Sequence, residues 1–117
     1  MELFQWLKRA FAVNQQTVVH RPDGPHTPPI RRRCRFSGRV QGVGFRYEAM
    51  MIANQLGLVG WARNENDGTV LIEIEGETSY VNEFLRAMQA VPRFDITEIQ
   101  VDELPLSKSE TAFNTLY

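Results

Sequence analysis

The chain has 117 residues and one cysteine, Cys34, which excludes an intramolecular disulfide framework and any zinc site built from two or more of its own thiolates. Histidine is nearly as scarce, since His20 and His26 both precede residue 30. From residue 31 onward there is no imidazole for a Ser-His-Asp or Cys-His pair, and none to carry a phospho-intermediate. The spacing used by thiolate phosphatases puts an arginine where this chain has Val40, so Cys34 reads as a small buried hydrophobe. No G-x-x-x-x-G-K-[ST] segment is present, which argues against a P-loop nucleotidase. No apolar run approaches the ~20 residues that cross a bilayer, and MELFQWLKRAF lacks the basic start and unbroken apolar stretch of a secretory signal. A cytoplasmic location is therefore expected.

With 43% hydrophobic and 23% charged residues, the chain should bury a core, and its length fits one domain. The net charge of −1 hides an uneven distribution. Residues 31–46 carry six arginines (Arg31, Arg32, Arg33, Arg35, Arg39, Arg46) and no acid, whereas residues 47–117 carry four basic and twelve acidic residues. A cationic region in an acidic body favours a small anion or a phosphate-bearing partner.

Two regions are expected. In residues 1–30, Leu3, Phe4, Leu7, Ala10 and Phe11 recur at helical spacing beside Trp6, predicting a short amphipathic helix over residues 2–12. HRPDGPHTPP (20–29) follows, and its four prolines predict an extended linker. Residues 31–117 are expected to form the compact domain. There Cys34, Phe36 and Val40 alternate with Arg33, Arg35, Ser37 and Arg39, the pattern of a strand with one buried face. Tyr47, Met50, Met51, Asn54 and Leu58 suggest a helical stripe ending near Gly57. Asn66-Asp67-Gly68 joins two apolar runs as a hairpin signal, with Val70, Ile72 and Ile74 facing in and Leu71, Glu73 and Glu75 facing out. Thr78-Ser79 begins a second helix through Tyr80, Val81, Phe84, Leu85 and Met88, ended by Pro92. Residues 94–103 alternate with a parity change between Ile96 and Ile99, suggesting a bulged fourth strand, and Phe113, Thr115 and Tyr117 suggest a short edge strand. The order β-α-β-β-α-β predicts an α/β (α+β) ferredoxin-like sandwich, an antiparallel sheet with two helices on one face. That fold selects no function by itself.

The segment Gly38-Arg39-Val40-Gln41-Gly42-Val43-Gly44-Phe45-Arg46 joins the first strand to the first helix. Its glycines let consecutive backbone N–H groups converge on an anion, or else serve only a tight strand-to-helix turn. Arg46 falls in the first helical turn, where a cation opposes the helix dipole by roughly 0.3–1 kcal/mol and so favours an anion beside it.

GRVQGVGFR (38–46), followed by GWARNENDGTV (60–70), resembles the two signature segments of the acylphosphatase family. With the β-α-β-β-α-β order, the likeness extends over residues 33–117. It implies hydrolysis of a small acyl phosphate to a carboxylate and inorganic phosphate by a monomer, without metal, cofactor, nucleic acid or membrane partner. It also implies that Arg46 binds the phosphate and that Asn64 orients the attacking water. Residues 1–30 lie outside the resemblance, and FNTLY lacks the basic side chain that the family leads one to expect in the last strand. The residue chemistry agrees: an acyl phosphate carries a good leaving group, so positioning and charge stabilisation can suffice. The N–H groups of Gln41, Gly42, Val43, Gly44, Phe45 and Arg46 would cradle the phosphoryl oxygens. The alternative is a non-catalytic phosphate- or nucleic-acid-binding module on the same fold, with the arginines of residues 31–39 as a backbone track. RNA readers of this architecture expose aromatics on the central strands, where this chain has Leu71, Glu73 and Glu75.

Overall fold

The computed structural model describes residues 18–117, and the helix expected over residues 2–12 lies outside them. Five strands form one sheet: β1 (Pro29–Arg39), β2 (Val59–Asn64), β3 (Val70–Glu77), β4 (Asp95–Leu104) and β5 (Phe113–Leu116), in the order β4-β1-β3-β2-β5. The first four run antiparallel to their neighbours, and β5 lies parallel to β2. Helices α1 (Phe45–Gln55) and α2 (Thr78–Gln89) supply the crossovers. The architecture is the expected two-layer α/β sandwich.

The core lies between the sheet and the helices, where Cys34, Phe36, Ile72, Ile74 and Phe84 are fully buried. β3 places Val70, Ile72 and Ile74 inward as its alternation requires. β1 starts at Pro29, whose missing N–H is tolerated at a strand's first residue. At its other end the β1–β4 register shifts between Ser37 and Gly38, so that Ser37 pairs with Glu98 and Gly38 with Ile96. Thr97 is the extra residue, which explains the parity change in β4. A Cβ on Gly38 would overlap the Asp95 carbonyl oxygen, and its φ of +115° suits glycine, so the chain can leave the sheet there for the next loop.

Two expectations need correction. The buried face of α1 is Phe45, Glu48, Ala49, Ile52 and Ala53, whereas Tyr47 is 59% exposed and Asn54 is exposed too. Apolar residues surround this helix, so hydrophobicity alone does not fix its rotation. Phe45 does, wedged between Phe36 and Phe94 with ring centroids 5.0 and 4.6 Å away. The second correction concerns Glu73, expected on an exposed strand face but buried. Arg31 Nε donates to Glu73 Oε1 at 2.9 Å, and Arg31 Nη1 reaches Glu75 at 3.1 Å and Glu110 at 2.6 Å. The cause is topological. β4 and β5 occupy opposite edges, so the connection 105–112 must cross the sheet, and it brings Glu110 and the N–H groups of Ser107 and Lys108 onto Arg31 and Glu75.

Candidate active site

β1 ends at Arg39, the chain turns through residues 40–44, and α1 begins at Phe45. Gly42 (φ 73°) and Gly44 (φ 78°, ψ 24°) take the left-handed conformation, which glycine adopts without steric strain. The first helical hydrogen bond runs from Glu48 N–H to the Gly44 carbonyl at 3.0 Å. Upstream of it, the N–H groups of residues 41–47 make no well-formed hydrogen bond to an acceptor among the described residues. Several adjacent donors and the positive end of the helix dipole thus coincide, which is the local condition for holding an anion.

The loop is braced from behind by two long side chains. Gln41 Nε2 donates to the carbonyls of Glu65 and Thr69 at 2.8 and 2.9 Å, tying the loop to the β2–β3 turn. Arg93 Nε donates to the Val43 carbonyl at 2.9 Å, its Nη2 lies 3.4 Å from Glu48, and its guanidinium covers the Phe94 ring at 4.8 Å. These contacts occupy loop carbonyls and partners outside the concavity, leaving its N–H groups available.

Arg46 leans across to the end of β5. Its Nη1 donates to the Leu116 carbonyl at 2.7 Å, and the Tyr117 ring lies 5.0 Å from the guanidinium carbon. The terminal strand therefore supports Arg46 through a backbone carbonyl and an aromatic face, which explains how FNTLY serves without a basic side chain. Asn64 is the last residue of β2, exposed, and its side chain makes no hydrogen bond to another described residue. A cavity of about 360 Å³ brings these groups together, lined by Gly42, Gly44, Phe45, Arg46 and Asn64 together with Tyr47, Met50 and Tyr117. Gln41 and Val43 do not line it, and act on the loop through the contacts just given.

Most of the remaining arginine cluster is otherwise engaged. Besides the Arg31 network, Arg32 pairs with Glu103 at 2.7 Å, Arg33 with Glu73 at 2.7 Å, and Arg35 donates to Thr69 at 2.9 Å, while Arg39 has no ion pair among the described residues. Cys34 lies in the core, away from the cavity, and burial pushes its thiol up to about 12, so it stays protonated at neutral pH. Among the described residues, no group of three or more His, Cys, Asp or Glu could hold a metal ion, and no helix is long and apolar enough to cross a membrane. Sequence reasoning missed the roles of Gln41, Arg93 and Tyr117. Only Gln41 carried a local signal, by lying inside the glycine loop.

A glycine loop feeding a helix N-terminus, with a guanidinium across it and a sheet beneath, defines an α/β sandwich built around a strand-to-helix loop. The acylphosphatase family model matches residues 32–115, and the chain belongs to that family. The acylphosphatase of Bacillus licheniformis is 40% identical over 89 residues, 75% of this chain and 99% of its own length. That of Oceanobacillus iheyensis is 43% identical over 87 residues, covering 73% of this chain and 96% of its own. The crystal structure of acylphosphatase from Bacillus subtilis superposes with a TM-score of 0.71 at 36% identity, over 75% of this chain and 99% of that one. Full-length HypF in its phosphate- and nucleotide-bound form, 32% identical with a TM-score of 0.71, is matched over 81% of this chain but 13% of its own.

Proposed function

We propose that this chain hydrolyses acyl phosphates to a carboxylate and inorganic phosphate. The observation that carries the reading is the meeting of the glycine loop, Arg46 and Asn64 on one cavity. The N–H groups and the free edge of the Arg46 guanidinium hold the phosphoryl oxygens through charge-assisted hydrogen bonds. They also stabilise the charge on those oxygens as the reaction proceeds. The Asn64 amide holds a water for in-line attack on phosphorus. The P–O bond to the acyl carboxylate breaks, the carboxylate leaves with its electron pair, and the water's oxygen ends in inorganic phosphate together with its protons. Because the leaving carboxylate is a weak base, the step needs neither a covalent nucleophile nor a strong general acid.

One copy of the chain supplies every group in this scheme, which a monomer satisfies, and a single buried free thiol suits the cytoplasm. The pairing of Arg31, Arg32 and Arg33 with carboxylates supports this reading over a nucleic-acid track, which needs unneutralised cations. The test is hydrolysis of acetyl phosphate beside p-nitrophenyl phosphate in the presence of a chelator. Acetyl phosphate should be cleaved and the monoester left intact. Comparable rates on both, or loss of activity to the chelator, would overturn the mechanism.

A further inference from the structure

Arg93 lies in the connection between α2 and β4, 50 residues from the glycine loop in sequence, and does not line the cavity. We propose that Arg93 is a positioning residue for the phosphoryl group. By holding the Val43 carbonyl on the outer side of the loop, it aims the Gly44 N–H at the bound phosphate and strengthens that donor. The inference rests on the acyl phosphate hydrolysis proposed above and adds to it a residue that acts on the substrate only through the loop.

Three observations support it. The first is the peptide plane. The Val43 carbonyl and the Gly44 N–H belong to one planar trans unit and point in opposite directions. Arg93 Nε donates to that carbonyl at 2.9 Å, so the N–H is directed away from Arg93, and Gly44 lines the cavity whereas Val43 does not. The second is the freedom of the loop. Gly42 and Gly44 flank Val43 with φ of 73° and 78°, and glycine leaves a neighbouring peptide little bias of its own. Its orientation must then be fixed from outside the loop, and Arg93 is bonded to it there. The third is how Arg93 is held. Its guanidinium covers the Phe94 ring at 4.8 Å, and that ring packs 4.6 Å from Phe45, the first residue of α1. Its Nη2 lies 3.4 Å from Glu48 in the first turn of the same helix and 3.5 Å from where a Cβ on Gly44 would stand. The cation is thus seated directly behind Gly44 and fixed to the helix whose N-terminus faces the phosphate. A charged donor on the carbonyl polarises the peptide, and hydrogen bonds in such a chain strengthen one another.

The experiment titrates isotope-labelled parent, Arg93→Met and Arg93→Lys with inorganic phosphate, and measures kcat and KM of each on acetyl phosphate. Arg93→Met should weaken phosphate binding and raise KM by about tenfold, the scale on which losing an outer partner loosens a held ion. Its kcat should change little, because the Gly44 donor serves bound substrate and transition state alike. Arg93→Lys should recover most of the affinity, since one carbonyl needs a charged donor and not a planar fork. The Gly44 amide signal reads the mechanism itself. It should respond to phosphate in the parent and in Arg93→Lys, and in Arg93→Met its response at saturation should shrink relative to that of Gly42. Circular dichroism checks folding. Should Arg93→Met not fold, Arg93→Gln keeps a donor without the charge and should bind phosphate more weakly than Arg93→Lys. Parental affinity in the folded neutral variant, an equal loss in Arg93→Lys, or an unaltered Gly44 response would overturn the role of Arg93, while acetyl phosphate turnover by the parent leaves the activity standing. Absence of both turnover and phosphate binding in the parent would overturn the activity and this role with it.

Discussion

Arg46 and Asn64 line the same cavity but are held very differently, and their loss should be felt differently. Arg46 is fixed by Leu116 and Tyr117 and faces donors that share its attraction for phosphate. Arg46→Ala should abolish turnover and weaken inhibition by inorganic phosphate together. Arg46→Lys should rescue little, because an ammonium cannot reproduce the planar fork. Asn64 makes no contact that builds the cradle, so Asn64→Ala should lower kcat by ~10²–10³, the scale of one preorganised polar contact, while phosphate inhibition persists. Steady-state kinetics with a phosphate inhibition series, on variants shown to be folded, separates the two. Near-normal kcat in Asn64→Ala, or parental phosphate affinity in Arg46→Ala, would contradict the assigned roles. That both positions line one cavity was legible because each sits in a short motif. Gln41 as a brace and Arg93 behind Val43 were not, since their partners lie 24 to 50 residues away in sequence and no local pattern announces them.

At the scale of elements, the open face of β1 and β3 carries an ion network rather than a solvated stripe. Burial pushes the Glu73 carboxyl up, but the guanidinium hydrogen bonds from Arg33 and Arg31 outweigh it, and the net shift is downward. Glu75 is likewise lowered, with burial again opposed, there by the Ser107 N–H and Arg31. Groups lowered on folding contribute stability that is present above their ordinary value of 4.5 and lost as pH falls through their folded values. The melting temperature should therefore drop on acidification below about pH 4.5. Arg31→Met, which takes a guanidinium from Glu73 and Glu75, should cost more stability at pH 7 than at an acid pH below the folded values of those carboxylates. Denaturant titrations at the two pH values check this, and an equal loss at both would show that Arg31 acts by packing alone. The alternation of β3 announced its inner face. It could not announce that Glu73 would be covered, because the cover arrives with the connection 105–112. The rotation of α1 was equally hidden, set by the Phe36–Phe45–Phe94 stack rather than by its own sequence.

Across the whole molecule, the order of elements was readable from periodicity and turn residues. What joins the start of the described chain to the domain was not. The prolines argued against a helix or strand over residues 20–29, and the structure has neither over 20–28 but begins β1 at Pro29. Yet this segment is tied down: His20 N–H donates to Glu83 at 2.8 Å, and Arg21 donates to the Gln55 carbonyl at 2.9 Å. Its far end caps α2, whose own N-cap residue Glu77 makes no side-chain cap. Ser79 N–H donates to Thr27 Oγ1 at 3.0 Å, and Thr78 N–H to the Pro28 carbonyl at 3.0 Å. Thr27→Ala should thus lower stability by about 0.5–2 kcal/mol, the value of a helix cap, with kcat unchanged, as thermal melts and kinetics would show. An unaltered melt would mean that the segment only lies against the helix. The cradle itself is a whole-molecule product, since β1, α1, the β2–β3 turn and β5 each fix part of it. Its occupation by phosphate is therefore the most direct test, read by titrating isotope-labelled protein with inorganic phosphate and following the backbone amide signals. The amides of residues 41–47 should shift together and saturate. Saturable shifts confined to the strand arginines 31–35, or none at all, would contradict the account.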